Sequence, residues 1–401
     1  MMVEIGRKVL PYCLFFIWPL AIVPKALQLL MLSCLLLFFI IYNRKRILVW
    51  KMNVVEMLLL LYCVWYLFSM MLNVPGAQID RILASLNTVA IWFISVFLCF
   101  VYRNTKIDYY VISRIGFYNI LIIDLLSIIY FIKPGLNLHI GGRTFIGYDW
   151  LDGIETGRFF CFFEYPNLVA AFCLIFFPIS LLFVTRHVPV AFAYLYCVIS
   201  LLPILAAASR SGVMLGVVMV AVGVSVIRTH RTSTKISNGV LVLFISLLMI
   251  LLVIARGKNV GEKIIDIYAS RSGSNNTRFS LYSYSLQKML DVSPFIGCGI
   301  KETIPEFGPA VPLGSHSTYI GALYKTGIIG FLILIMCLIY IVKTMYLNNK
   351  NNVPILLFSI IFFCFLIFED IDGADWLLAL VLSVVGCVSN DTSSKEICLE
   401  T

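Results

Sequence analysis

Apolar residues run in blocks of about 17–25 along nearly the whole chain, separated by short polar stretches. Wound as helices, such blocks match the thickness of a bilayer core. They predict about twelve helices, near residues 9–24, 26–42, 54–73, 83–102, 109–132, 167–184, 189–207, 211–227, 239–255, 319–342, 353–368 and 374–389. In hydrocarbon every backbone N–H and C=O needs a partner, and a helix supplies its own. The expected fold is an all-α polytopic integral membrane protein, a single membrane domain over residues 1–401. The first two helices have the weakest pattern, because Pro11, Pro19 and Pro24 crowd one stretch. Pro24 and Lys25 follow the first block where a leader peptide would carry small residues, so no cleaved leader is expected.

Composition points the same way. Of 401 residues, 61% are hydrophobic and 13% charged, and mean hydropathy is +0.97. A soluble domain of this size needs far more polar surface. The net charge of +9 is a matter of topology. With the N-terminus inside, clusters such as Arg44-Lys45-Arg46 and Arg228 with Arg231 fall on the inner side, whereas the short outer loops hold only Lys25, Arg81 and Arg210. This asymmetry sets both termini in the cytoplasm and accounts for the basic balance without nucleic acid. Two long loops, 133–166 and 256–318, then fall outside, and many acidic residues with them. Loops of that length are functional or disordered; their aromatics, glycines and predicted helix favour function.

Most of the twelve cysteines lie in apolar blocks and read as small buried hydrophobes. Cys161 and Cys298 fall in the long loops, where a disulfide between them is the less favoured reading. No Cys/His cluster has zinc spacing.

Five stretches carry candidate chemistry. His316 precedes the block at 319–342, where an imidazole can accept a proton near neutral pH; the bland alternative is a polar helix cap shared with Ser315, Ser317 and Thr318. Arg210 sits in a short outer turn at a helix start, suited to holding a phosphate; alternatively it anchors the topology by snorkelling. Arg278 lies in the predicted first turn of a loop helix starting near 275–277, against the helix dipole, which suggests an anionic partner rather than a solvated arginine. The apolar face expected of that helix is Phe279, Tyr282, Leu286, Met289 and Leu290, resting on the membrane or the bundle. Arg158 precedes an aromatic run that leads to Pro166-Asn167, suited to sugar stacking or to an interfacial belt. The acidic stretch 369–376 holds Asp370-Ile-Asp372, which looks like a metal-binding pair for nucleotide sugars, but on the outer side it reads as a solvated acidic loop. Within the blocks charge is rare, and Asp124 and Lys325, at similar depth, are expected to pair.

Together these pieces resemble the O-antigen polymerase and O-antigen ligase superfamily, membrane glycosyltransferases of the GT-C type. The matching residues are Ser209-Arg210-Ser211; Arg278 opening a helix that leads to Pro294 and Gly297-Cys298-Gly299; His316 followed by Tyr319 and Gly327-Ile-Ile-Gly330; and Arg158 with Pro166-Asn167. The family's histidine is usually followed by asparagine, and here Ser317 stands in that place. The stretch 314–330 looks most like the capsule and O-antigen polymerase branch. The resemblance implies a donor saccharide carried on undecaprenyl diphosphate at the outer face of a bacterial cytoplasmic membrane. It gives Arg210 and Arg278 the diphosphate, His316 the acceptor hydroxyl proton, and Arg158, Asn167, Tyr282 and Tyr319 the substrate. It implies inversion at the anomeric carbon and no cofactor or metal. Besides the lipid bilayer and the lipid-linked oligosaccharide, candidate partners are a chain-length regulator and a flippase. Two rival readings are an O-antigen ligase acting on lipid A core, and a lipid-linked oligosaccharide transporter; absence of a clear internal repeat counts against the latter.

Overall fold

The computed structural model describes residues 12–14, 17–47, 51–105, 107–133, 136, 138–151, 154–230, 272–304, 311–348 and 353–389. The helices are α1 (Lys25–Ile47), α2 (Val54–Leu72), α3 (Ile79–Asn104), α4 (Tyr109–Ile132), α5 (Asn167–His187), α6 (Val190–Ile199), α7 (Leu202–Ala206), α8 (Arg210–His230), α9 (Ser272–Val292), α10 (Thr318–Asn348), α11 (Val353–Phe365) and α12 (Asp375–Val388), with 3-10 turns at Trp18–Ile22 and Ile371–Gly373. Six of them, α2, α3, α4, α5, α8 and α10, are long and apolar enough to cross a membrane, and shorter apolar helices stand at most of the other expected positions. The chain is thus a mostly helical, multi-pass membrane protein. The block expected at 239–255 lies outside the described residues.

Three departures have local causes. The block at 189–207 is split, because Pro203 starts α7 in its middle and lacks the N–H that a continuous helix needs. The loop at 133–166 holds strands, not helix. His139–Ile140 pairs with Arg143–Thr144 across Gly141-Gly142, both at positive φ, a two-residue turn that glycine makes readily. Ile146–Leu151 then pairs antiparallel with Ile154–Phe159, so an all-α description does not hold for this loop. Finally, α10 is two half-helices. Gly327 takes φ 60° and ψ −168°, a region essentially reserved for glycine.

The chain forms two compact units, one of Met1–Ile115 with Arg278–Thr401, the other of Gly116–Thr277. In the first, α3 packs against α12, α2 and α1, and α10 packs against α2 and α11. Gly386 lets the backbone of α12 approach that of α3 at Cys99, the close approach typical of helix pairs in membranes. Helix α2 starts with a capping box between Asn53 and Glu56. Glu56 is fully buried and pairs with Arg103 at the end of α3 (2.5 Å), which fixes the register of α2 on α3. In the second unit, α5 is almost wholly buried and packs against α6, α7 and α8.

The break in α10 leaves backbone groups without helical partners, and the segment 294–299 supplies them. Ile328 and Ile329 donate their N–H to the carbonyls of Pro294 (2.9 Å) and Phe295 (3.3 Å). Cys298 and Gly299 donate theirs to the carbonyls of Tyr324 (2.7 Å) and Lys325 (3.0 Å). Ser69 Oγ donates to Lys325 O (2.7 Å) and Trp65 Nε1 to Thr326 O (2.9 Å). In a membrane such groups are costly if left unpaired, so the break is a built feature. Gly327→Ala adds a Cβ that meets the Phe295 carbonyl and forces a strained backbone. It is expected to destabilise the protein by about 1–3 kcal/mol, read as a lower thermal midpoint in detergent with Gly330→Ala beside it; an unchanged midpoint for Gly327→Ala would show the half-helix geometry to be wrong.

Candidate functional site

His316 is held where three segments of the first unit meet. From α9, Tyr282 donates its hydroxyl to His316 O (2.7 Å), and Ser285 Oγ accepts from Gly314 N (2.8 Å). Beneath them Leu281, Met289, Cys298, Leu313 and Tyr324 form one apolar cluster, so α9 rests on the bundle through Leu281, Ser285 and Met289. Phe279 and Leu290, expected on the same apolar face, are exposed rather than packed on the bundle. At the start of α10, Ser317 Oγ accepts from Ile320 N (3.4 Å), which is the helix-cap role foreseen for the serines and threonine around the histidine. Thr318 ties in the third segment: its N–H donates to the carbonyls of Leu366 and Glu369 (3.0 Å each), its Oγ1 donates to Glu369 O (2.7 Å) and accepts from Ile371 N (2.9 Å).

His316 itself has φ 62°, a left-handed conformation that a residue with a Cβ rarely adopts. The surrounding bonds hold it there. Such strain of order 1–3 kcal/mol persists where structure over-determines it, which is commonly at functional sites. Burial, reinforced by Arg278 and Lys301, pushes the imidazole down to about 4. The ring is therefore neutral, with a lone pair able to take a proton.

The acidic stretch after α11 is not solvated. Glu369, Asp370 and Asp372 are all buried, and each meets a cation. Arg278 pairs with Glu369 (3.6 Å), Lys301 with Asp370 and, at 3.4 Å, Asp372, and Lys325 with Asp372. Trp92 Nε1 also donates to Asp372 (3.0 Å). Burial acts to raise the Asp372 carboxyl, but Lys325 and Lys301 outweigh it and hold the group well below its ordinary range. Burial, with Asp372 adding, pushes Asp370 up to about 6. The partner of Lys325 is thus Asp372 and not Asp124; the Asp124 carboxylate accepts instead from Ser200 Oγ in the second unit (3.5 Å). Sequence reasoning missed Glu369 and Lys301. A signal existed: Lys325 inside an apolar block demands an anion, and a short loop between two blocks offered three.

Helix α9 begins at Ser272, earlier than expected, so Arg278 stands in its second turn and opposition from the helix dipole is weak there. Tyr319 donates its hydroxyl to Phe363 O (3.1 Å) on α11. Cys161 and Cys298 are both free thiols. Among the described residues, no group of three or more His, Cys, Asp or Glu is placed to hold a metal ion.

In the second unit, Arg158 on the last strand is buried. It donates through Nε (3.0 Å) and a terminal nitrogen (2.7 Å) to Ala207 O, and more distantly to Ala208 O and to Asn167 Oδ1 (3.5 Å each). These bonds cap the end of α7. Ala208 has φ 51°, and Ser209 Oγ then accepts from Gly212 N (3.3 Å) as α8 begins at Arg210. Arg158 and Asn167 are thus brought together as supports of the turn that presents Arg210.

A family model described as O-antigen ligase matches residues 195–335. The match runs from α6 to the second half of α10 and contains Arg210, Arg278 and His316. The match covers less than half of the chain, and it agrees with the O-antigen polymerase and ligase superfamily that the sequence resembles. No curated protein matches the chain.

Two tests follow from the site's electrostatics. Because His316 stays neutral to about pH 4, its carbethoxylation, followed by peptide mass spectrometry, should keep one rate from pH 7 to pH 5. A fall centred near the ordinary imidazole value of about 6.5 would contradict the assigned burial. Asp372→Ala strands the Lys325 charge and should lower stability by about 3–5 kcal/mol, whereas Lys325→Met with Asp372→Leu should lose much less. Equal losses in thermal unfolding would show that the pair is not what holds the segment.

Proposed function

We propose that the chain is a polysaccharide polymerase, joining oligosaccharide repeat units carried on undecaprenyl diphosphate at the outer face of the bacterial cytoplasmic membrane. The observation that carries this reading is His316: a neutral imidazole on a strained, tightly held loop, with Arg278 close enough to depress its protonation. In the proposed step the histidine takes the proton of an acceptor sugar hydroxyl. The hydroxyl oxygen attacks the anomeric carbon of the donor, the bond from that carbon to the diphosphate oxygen breaks, and the lipid diphosphate leaves with the bonding electrons. Attack opposite the leaving group inverts the anomeric centre. Arg278 neutralises charge growing on the diphosphate. Arg210 is given a second share of that charge by the sequence resemblance alone. Diphosphate leaves readily, so the reading needs no strong general acid and places no metal in the step.

Tyr282 has a supporting role here. Its hydroxyl bond to His316 O fixes the backbone that carries the imidazole. The ligase reading uses the same chemistry with lipid A core as acceptor, and the family match is compatible with both.

The test is a polymerisation assay with the purified protein and an undecaprenyl-diphosphate-linked repeat unit. Wild type should build a ladder of rising length that EDTA does not abolish. His316→Ala should lower the rate about 10²–10⁴-fold, the usual contribution of a general base, without loss of fold. A folded wild type that builds no ladder, or a His316→Ala variant as active as wild type, would refute the proposal; transfer to lipid A core in the first case would favour the ligase.

A further inference from the structure

The three buried carboxylates between α11 and α12 are not equivalent. Asp372 faces Lys325, whose side chain is 2% exposed, and Asp370 faces Lys301, at 18%. Those pairs are in close contact. Glu369 faces Arg278 at 3.6 Å, with the arginine side chain 28% exposed. One cation of the three is therefore both loosely paired and open to a solute. It is also the cation that, with Lys301, acts on His316. The Glu369 backbone cannot follow Arg278 if the arginine swings away, because Thr318 holds the Glu369 carbonyl from both its N–H and its hydroxyl. The Glu369 backbone is thus fixed and its side chain is buried, whereas the guanidinium, more exposed and on a long flexible stem, is the partner with room to move.

We infer that Glu369 is a positioning residue that occupies Arg278 as an internal anion until a diphosphate displaces it. This rests on the proposed role of Arg278 in holding the donor. A carboxylate offers the guanidinium the same paired oxygens as a phosphate but carries one charge, so a diphosphate outcompetes it. While Glu369 holds Arg278, the positive charge beside His316 is partly neutralised and the arginine is kept near its working place. When the diphosphate takes Arg278, Glu369 gives up its ion pair, and that loss is set against the affinity for the donor. The exchange makes donor binding weaker than an unpaired Arg278 would give, which suits an enzyme that must release a lipid diphosphate after each transfer.

The experiment measures binding of geranylgeranyl diphosphate to the full-length protein in nanodiscs. Four proteins are compared: wild type, Glu369→Gln, Arg278→Gln and the double variant. Glu369→Gln should bind about two- to fivefold tighter, the range expected from coupling in a part-exposed ion pair. Arg278→Gln should bind more weakly, and Glu369→Gln should add nothing in its background. Glu369→Asp, which keeps the charge but shortens the reach, should also tighten binding and serves if the glutamine variant does not fold. Unchanged or weaker binding in a folded Glu369→Gln or Glu369→Asp, while Arg278→Gln still weakens it, would overturn the exchange and leave the role of Arg278 standing. Wild-type affinity in Arg278→Gln would overturn that role, and the exchange with it. A purely structural part for Glu369 would lower the thermal midpoint without tightening the ligand, which also counts against the inference.

Discussion

The Lys325–Asp372 pair is the constraint on which the rest of the first unit depends. A lysine inside an apolar helix and a carboxylate buried beside it are each expensive, and neither is tolerated without the other. Their contact ties the middle of the broken helix α10 to the loop between α11 and α12. Lys301 extends the tie to the segment after α9 through Asp370 and Asp372. Three stretches distant in sequence are thereby locked together, and the His316 loop lies among them. The break at Gly327 belongs to the same arrangement, because the backbone groups it releases are met by residues 294–299 and by Trp65 and Ser69.

From that frame the chemistry follows. Buried charge fixes the loop, the fixed loop holds His316 in a left-handed backbone, and burial beside two cations keeps the imidazole neutral. A neutral imidazole on a fixed backbone, with an arginine acting on it, fits the proposed transfer from a diphosphate. The second unit applies the same economy differently. Arg158 spends its guanidinium on the carbonyls at the end of α7, which shapes the turn leading to Arg210.

Much of the helical frame was legible because apolar block length alone specifies it. The ends of α2, α4, α5, α11 and α12 fall close to their expected places. What escaped was set by distant partners or by single residues. The twin glycines at 141–142 carried a hairpin signal that the membrane context obscured. The acidic stretch 369–372 read as solvated because its cations lie 47 to 91 residues away, as the Lys325–Asp372 and Arg278–Glu369 pairs show. The proposed roles of His316, Arg210 and Arg278 come from residue type and order, whereas the pairing of Glu369 and Lys301 and the geometry around His316 needed the fold.

The most direct measurement is a cryo-EM structure of the protein in nanodiscs with an undecaprenyl-diphosphate-linked repeat unit bound. The account predicts the diphosphate against Arg278 and a saccharide hydroxyl within about 3.2 Å of a His316 ring nitrogen. A bound repeat unit with both its diphosphate and its sugars away from the 314–318 loop would contradict it.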